Sequence, residues 1–196
     1  MQTMIAMLIA YLFGSISTAI VTCKIMGLPD PRQQGSGNPG ATNVLRFGGK
    51  KAAIITLIGD MLKGIIPVLA AKWYGLSAAG LGLTAFAAFL GHLYPVFFRF
   101  RGGKGVATAF GCLVALSPTL GFSLAATWLV IALIFRYSSL AALLAASLAP
   151  VYAFFLTNIY YTLTACAISA LLIYRHRQNI QNLMMGKENK IGAKKV

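Results

Sequence analysis

Residues 140–152, Leu-Ala-Ala-Leu-Leu-Ala-Ala-Ser-Leu-Ala-Pro-Val-Tyr, show no alternation between apolar and polar side chains. A transmembrane β-barrel would need such alternation in segments of about ten residues. The core of a soluble protein does not need apolar runs whose length approaches the ~20 residues that cross a bilayer. The stretch therefore predicts a membrane-spanning α-helix, which satisfies its backbone hydrogen bonds internally.

The same argument applies along the whole chain of 196 residues, which is 58% hydrophobic and has a mean hydropathy of +0.76. The predicted spans are residues 4–25, 53–72, 78–98, 105–117, 119–135, 139–156 and 159–174, followed by a polar tail over 175–196. The first three residues carry no side-chain charge, so we expect the first run to be a retained span rather than a signal peptide. The sequence thus predicts an all-α integral membrane protein with one domain, a bundle of seven transmembrane helices.

Charge assigns an orientation to this bundle. Seventeen Lys and Arg residues stand against three acids, Asp30, Asp60 and Glu188. With seven spans, fifteen bases fall on one side and Lys72 alone on the other, while Lys63 lies within a span. The fifteen are Lys24, Arg32, Arg46, Lys50, Lys51, Arg99, Arg101, Lys104, Arg136, Arg175, Arg177, Lys187, Lys190, Lys194 and Lys195. Because cytoplasmic loops carry the excess of Lys and Arg, we expect an external N-terminus and a cytoplasmic C-terminus.

The run 105–117 is short for a span, and omitting it would place the basic tail outside the cell. A short helix that ends at Ser117-Pro118 is one interpretation, and a re-entrant hairpin that keeps the same parity is the alternative.

The first glycine-rich segment, Gly35-Ser36-Gly37-Asn38-Pro39-Gly40, is followed by Ala41-Thr42-Asn43-Val44-Leu45-Arg46. Its G-x-G-x-x-G spacing lacks the βαβ context of a dinucleotide site, so we reject that interpretation. We expect Asn38 at a helix N-cap and Pro39 at the first helical position, with the free amides facing an anion. Hydroxyls from Ser36 and Thr42 and the guanidinium of Arg46 would assist. A flexible loop before a capped surface helix is the alternative.

The second segment runs from Arg101 to Thr108 as Arg-Gly-Gly-Lys-Gly-Val-Ala-Thr. It fails the P-loop pattern, because Phe98 and Gly105 occupy the required glycine and hydroxyl positions. Glycine backbone can nevertheless approach an anion closely, with Lys104 as a point charge at a helix start. A tight turn with Lys104 as a topological anchor is the alternative.

The third segment is Tyr174-Arg175-His176-Arg177-Gln178-Asn179. Cations at a helix C-terminus are favoured by the dipole alone, which is sufficient to explain Arg175 and Arg177. His176 lies between these cations, so it should resist protonation and keep a neutral ring. All three segments fall on one side of the membrane, and their convergence predicts an oxyanion site there.

Within the spans, Asp60 and Lys63 are three residues apart and should pair, because either charge alone is costly in a bilayer. His92 is expected to cap or bridge near the end of its span. Cys23, Cys112 and Cys166 lack the close spacing of zinc ligands and are interpreted as small packing residues. We expect no metal site and no cofactor.

The strings GSGNPGATNVLR, GHLYPVFF, RGGKGVAT and RHRQNI, in this order, closely resemble the bacterial acyl-phosphate:glycerol-3-phosphate acyltransferase family. The resemblance extends from the first span to about Met185. It implies a seven-helix bundle that transfers a fatty acyl group from acyl phosphate to the 1-hydroxyl of glycerol 3-phosphate. The expected products are lysophosphatidic acid and phosphate, and the site would face the cytoplasm at the bacterial inner membrane.

By motif position, the catalytic candidates are Ser36, Lys104, His176 and Asn179. The candidates for substrate or phosphate binding are Gly35, Gly37, Thr42, Asn43, Arg46, Gly102, Gly103 and Gly105. Asp60 and Lys63 match a family Asp-x-x-Lys-Gly string, and we expect them, with His92, to support the site. The chain departs from the family pattern at Arg101, where lysine is common, and at Asn182, where a basic residue is frequent.

No His-x-x-x-x-Asp pair is present, since Phe97 and Gln181 lie five residues after His92 and His176. We therefore hypothesise substrate-assisted catalysis, in which the leaving phosphate accepts the hydroxyl proton, with His176 as general base the rival. The expected partners are acyl phosphate, glycerol 3-phosphate and membrane lipid, with no nucleic acid and no obligate protein partner. A transporter of organic phosphate anions is the main alternative function, and a lipid-binding scaffold is a third.

Overall fold

The computed structural model describes residues 1–192, which form nine α-helices. The helices are Gln2–Gly14 (α1), Thr18–Ile25 (α2), Ala41–Trp73 (α3), Ala78–Leu93 (α4), Val106–Leu116 (α5), Pro118–Phe135 (α6), Ser138–Leu156 (α7), Ile159–Arg175 (α8) and Arg177–Met184 (α9). A 3₁₀ turn covers Val96–Phe98. The all-α architecture is confirmed, while Lys194 and Lys195 of the predicted tail lie outside the described residues.

Within residues 1–192, five helical segments are long and apolar enough to cross a membrane. They are Gln2–Ile25, Ala41–Trp73, Ala78–Phe98, Pro118–Phe135 and Ser138–Leu156. Val106–Leu116 and Ile159–Arg175 are shorter apolar helices that match the two remaining predicted spans. The predicted polar tail contains a two-turn helix, α9, where no helix was expected.

The first predicted span is interrupted, because α1 ends at Gly14 and α2 begins at Thr18. Ile16 lies in this break, outside both helices. Its carbonyl accepts a hydrogen bond of 2.9 Å from Nζ of Lys63. The interruption thus helps to satisfy a buried lysine in α3.

Helix α3 begins at Ala41, much earlier than the predicted span at 53, and Gly49 interrupts it with φ 79° and ψ 177°. The expected N-cap at Asn38 is wrong, because Gly40 holds the cap position. The amide of Gly40 donates to the carbonyl of Asn38 at 2.9 Å, so a tight turn delays the helix by two residues. Arg46 consequently lies between the helix start and the break.

Close helix packing relies on glycine. A Cβ on Gly14 or Gly91 would collide with backbone at the contact of α1 with α4. Gly64 and Gly111 have the same role where α3 meets α5. Small residues of this kind allow backbones to approach in membrane bundles, where no hydrophobic effect drives helices together. Helices α6, α7 and α8 pack side by side and complete the bundle around the site.

Candidate active site

One cavity of about 990 Å³ joins the polar loops to the interior of the bundle. Its polar end is formed by the start of α3, the loop before α5, the end of α8 and α9. Its apolar part runs between α5, α6, α7 and α8. The apolar lining includes Leu113, Leu124, Trp128, Ala146, Ala149 and Ile168.

Most of the predicted site residues meet at this cavity. Those that line it are Ser36, Thr42, Asn43, Arg46, Asp60, His92, Lys104, Gly105, His176 and Asn179. Those that do not are Gly35, Gly37, Lys63, Gly102 and Gly103. The four glycines of the second group belong to the loop backbones, and Lys63 belongs to the buried ion pair beneath the site. Segments that lie more than 50 residues apart in the sequence therefore converge at one cavity.

Asn43 fixes the first glycine-rich loop from inside. Its side chain is buried and donates to the carbonyls of Pro31 and Gln34, both at 2.9 Å. Its Oδ1 accepts the amide of Ser36 at 3.0 Å. A Cβ on Gly35, which has φ +58°, would collide with this same oxygen. The loop therefore presents the exposed side chain of Ser36 to the cavity while Asn43 holds its backbone.

The second glycine-rich loop is packed far more tightly. Gly103 donates its amide to the carbonyl of His92 at 3.2 Å. A Cβ on Gly103 would meet the His92 ring and, at 3.1 Å, the carbonyl oxygen of Pro39. Gly105 adopts φ +88° as the N-cap of α5. The two glycine-rich loops thus touch at Pro39 and Gly103, and Lys104 follows directly into the cavity.

Lys104 and Asn179 form the polar centre. Nζ of Lys104 donates to Oδ1 of Asn179 at 2.5 Å, and Nδ2 of Asn179 donates to Glu188 at 2.8 Å. Burial is the main cause that lowers the pKa of Lys104, with Arg46 adding repulsion and Glu188 opposing it. The lysine therefore loses its proton at a lower pH than a free lysine does.

His176 is buried and keeps a neutral ring, as expected. Its Nδ1 donates to the carbonyl of Leu172 at 2.8 Å, which leaves Nε2 as an acceptor. Its pKa is lowered to about 4, chiefly by burial, whereas the charges of Lys104 and Arg175 contribute less. The sequence predicted a lowered pKa from neighbouring cations. The direction is correct, but burial is the larger cause and the cations are a smaller one.

A buried polar cluster lies beneath the loops. Asp60 pairs with Lys63 at 2.8 Å and accepts a hydrogen bond from Thr18. Nδ1 of His92 lies 3.6 Å from the same carboxylate and 3.1 Å from the Thr108 hydroxyl. The expected ion pair is thus present, and His92 acts as a bridge. Asp60 and His92 reach the cavity wall, so this cluster forms its floor on the α3 and α4 side.

Glu188 is the main site residue that sequence reasoning missed. Its Oε1 accepts from Ser139 at 2.7 Å as well as from Asn179. Residues 188–192 line the cavity, and the amide of Ile191 donates to the carbonyl of Arg136 at 2.6 Å. Glu188 is one of only three acids in the chain, which was a usable signal. Its contact with α7, however, depends on the fold of the tail.

The cysteines and possible metal ligands add little to the site. Cys23 and Cys112 are buried as expected, whereas Cys166 is exposed on α8 and is not a packing residue. Within residues 1–192, no group of three or more His, Cys, Asp or Glu side chains could hold a metal ion.

Comparison with known proteins gives consistent results. The family model for glycerol-3-phosphate acyltransferase matches residues 4–186. A glycerol-3-phosphate acyltransferase of Cupriavidus necator is 58% identical over 200 residues, covering 100% of this chain and 99% of the relative. One from Burkholderia multivorans is 57% identical over 198 residues, covering 100% of this chain and 93% of the relative.

Two solved structures share the fold, both of PlsY (YgiH), an integral membrane glycerol 3-phosphate acyltransferase. The glycerol 3-phosphate form has a TM-score of 0.92 at 44% identity, and the lysophosphatidic acid form has 0.91 at 43%. Each match covers 98% of this chain and 96% of the other. The chain therefore belongs to the glycerol-3-phosphate acyltransferase family and is a multi-pass integral membrane acyltransferase.

Proposed function

We propose that this protein transfers a fatty acyl group from acyl phosphate to the 1-hydroxyl of glycerol 3-phosphate, releasing phosphate and lysophosphatidic acid. The observation that carries the proposal is the two-part cavity. The cations Arg46 and Lys104 lie at its polar end, and an apolar groove continues from there between four helices. Both substrates carry phosphate, and only the donor carries a long chain. A single cavity can therefore hold the anions at one end and the chain at the other.

The proposed topology has seven crossings, with the N-terminus outside and the site facing the cytoplasm. It counts Gln2–Ile25 as one crossing and includes the two shorter apolar helices. The placement of fifteen bases on one side supports this orientation. We place the protein in the inner membrane of a bacterium, where it needs no nucleic acid and no obligate protein partner.

We assign the phosphate contacts to Arg46, Lys104 and the hydroxyls of Ser36 and Thr42. Arg46 is exposed at the cavity, so its guanidinium can form the two-pronged contact that phosphate favours. Lys104 supplies a point charge where negative charge grows as the phosphate leaves. Preorganised donors and cations of this type supply the largest share of many enzymes' rate enhancement.

Proton transfer is assigned to the substrate rather than to His176. A ring with a pKa of about 4 is a weak base at neutral pH, although its free Nε2 can accept a hydrogen bond. The departing phosphate is adjacent to the attacking hydroxyl and can take its proton. His176 and Asn179 then orient the substrates. Asp60, Lys63 and His92 hold the cavity floor.

The decisive experiment measures phosphate release and lysophosphatidic acid formation by the purified protein with glycerol 3-phosphate and acyl phosphate. Acyl-CoA and acyl carrier protein donors are tested in parallel. We expect turnover with acyl phosphate. Absence of acyl transfer from every donor, together with glycerol 3-phosphate flux in liposomes, would instead support a transporter.

His176→Ala tests the proton assignment. We expect a raised KM with kcat largely retained, because the ring binds substrate and does not act as base. Abolished turnover with unchanged substrate binding would restore His176 as the base.

A further inference from the structure

Arg175 makes an unusual contact with the second glycine-rich loop. One guanidinium nitrogen donates to two successive carbonyls, Gly102 at 2.9 Å and Gly103 at 3.0 Å. The same guanidinium lies 5.7 Å from the centre of the Tyr94 ring. Arg175 is half-buried and is not among the residues that line the cavity. Its charge is therefore directed at the loop backbone and not offered to a substrate.

This contact fixes the direction of two peptide units. In a trans peptide the carbonyl and the following N–H point in opposite directions, and residues 1–192 contain no cis peptide bond. The carbonyl of Gly102 points to Arg175, and the N–H of Gly103 accordingly points to His92. The carbonyl of Gly103 also points to Arg175. The N–H of Lys104 must then point away from Arg175.

The N–H of Lys104 has no acceptor among the described residues, and Lys104 itself lines the cavity. Free amides of the first turn of α5 follow it directly. A glycine at 103 permits either orientation of the next peptide, because no Cβ restricts its backbone. The two hydrogen bonds from Arg175 therefore select the orientation that turns the Lys104 amide away from Arg175.

We propose that the backbone N–H of Lys104 is an anion donor of the active site and that Arg175 is the positioning residue that orients it. The ligand is a phosphate oxygen of a substrate, held by this amide together with the Lys104 ammonium. The inference rests on the proposed site. It differs from the proposed role of the Lys104 side chain, because it concerns the peptide group.

Arg175→Met tests the positioning role, with Arg177→Met as the matched control. Arg177 is exposed, stacks on Tyr174 at 4.8 Å and, among the described residues, donates its side chain only to the carbonyl of Tyr174 near the end of α8. We expect Arg175→Met to lose about tenfold in kcat/KM while Arg177→Met stays within twofold. Arg175→Lys should recover part of the loss, because an ammonium can reach the same carbonyls. Equal kinetics in the two methionine variants would overturn the proposal.

The kinetic arms identify which phosphate the amide binds. A raised KM for glycerol 3-phosphate would show that the amide binds the acceptor's phosphate. A raised KM for acyl phosphate would show that it binds the donor's phosphate. A lowered kcat with both KM values unchanged would show that it binds the leaving phosphate in the transition state. Thermal unfolding of each variant is measured alongside. A loss of activity that is matched by a lowered Tm and restored by cooling would show a purely structural role and overturn the proposal.

A direct measurement on unaltered protein uses ¹⁵N-labelled lysine. We expect the Lys104 amide proton to shift downfield when glycerol 3-phosphate or inorganic phosphate is added, and not to shift in Arg175→Met. An unchanged Lys104 amide in active wild-type enzyme at saturating substrates would refute the donor role. Acyl transfer, and hence the proposed function, would stand in that case.

Discussion

The two glycine-rich loops reach the same cavity, yet they are held in different ways. The first is exposed and is fixed by Asn43, which lies only seven residues beyond Ser36. The second is more buried and is fixed by His92, at the end of the preceding helix, and by Arg175, which lies 72 residues beyond Gly103. A locally held loop tolerates change around it, whereas a loop held by tertiary contacts transmits any disturbance to Lys104. The difference predicts unequal sensitivity of the two loops to mutation.

Lys104→Ala should cause the largest loss. It removes the ammonium from the phosphate and leaves Asn179 without its donor. We expect kcat/KM to fall by about a hundredfold, or ~2.7 kcal/mol of transition-state stabilisation. Steady-state kinetics with both substrates measures the loss. Lys50→Ala, an exposed base outside the cavity, is the control, and comparable losses in both variants would contradict a specific role.

Gly103→Ala compares the loops directly with Gly37→Ala. The added methyl at 103 meets the His92 ring and the Pro39 carbonyl, whereas at 37 the nearest atom is the Arg32 carbonyl at 3.4 Å. We expect Gly103→Ala to lower kcat/KM between about ten- and a hundredfold, since small displacements of a catalytic group are costly. Gly37→Ala incurs mainly strain at φ +69°, of about 1 kcal/mol or more in stability. Equal kinetic losses in the two variants would refute the difference between the loops.

Arg46→Ala should lose about tenfold in kcat/KM, or ~1.4 kcal/mol. The loss is smaller than at Lys104, because the Arg46 side chain is exposed and solvent screens its charge. We therefore expect the difference between wild type and variant to shrink at high salt. Lys51→Ala, on the same helix but away from the cavity, provides the control. A salt-independent loss would indicate that Arg46 acts through packing.

The features that sequence predicted well depend on local pattern. Apolar run length located the helices, and both glycine-rich segments were expected to be loops beside a helix start, because these features follow from residues close together in the chain. The anion site expected beside Lys104 remains a prediction. The start of α3 was wrong, since a tight turn at Asn38 competes with the expected cap. A short break at Ser15–Ser17 was missed because apolar composition does not report a change in backbone direction.

The features that sequence missed depend on long-range contacts. Glu188 reaches Ser139, 49 residues away, and Arg175 reaches Gly102, 73 residues away. Topology and the helix dipole were sufficient to explain Arg175, so nothing in the chain distinguished it from Arg177. Only the fold shows that one arginine binds the loop while the other faces solvent.

The smallest expected effect is a change in how kcat/KM depends on pH. It tests whether the second loop holds Lys104 in a partly buried position among other charges. Burial, Arg46 and Arg175 lower the pKa of Lys104 from its ordinary value near 10.5, while Glu188 raises it. As pH rises through this lowered pKa, the ammonium loses its charge and kcat/KM should fall. Lys104→Arg, which stays charged, should abolish that fall and so separates it from the titration of the substrate phosphates.

Two further variants should shift the alkaline limb of the pH profile, where kcat/KM falls as Lys104 loses its proton, in opposite directions. Glu188→Gln removes an attractive charge and should shift the limb to lower pH, whereas Arg46→Ala removes a repulsive one and should shift it to higher pH. On the acid side, His176 should add no inflection near 6.5, because its pKa is about 4. Shifts of the same sign in both variants would mean that Lys104 does not sense these charges. The second loop would then place it outside the electrostatic centre of the site.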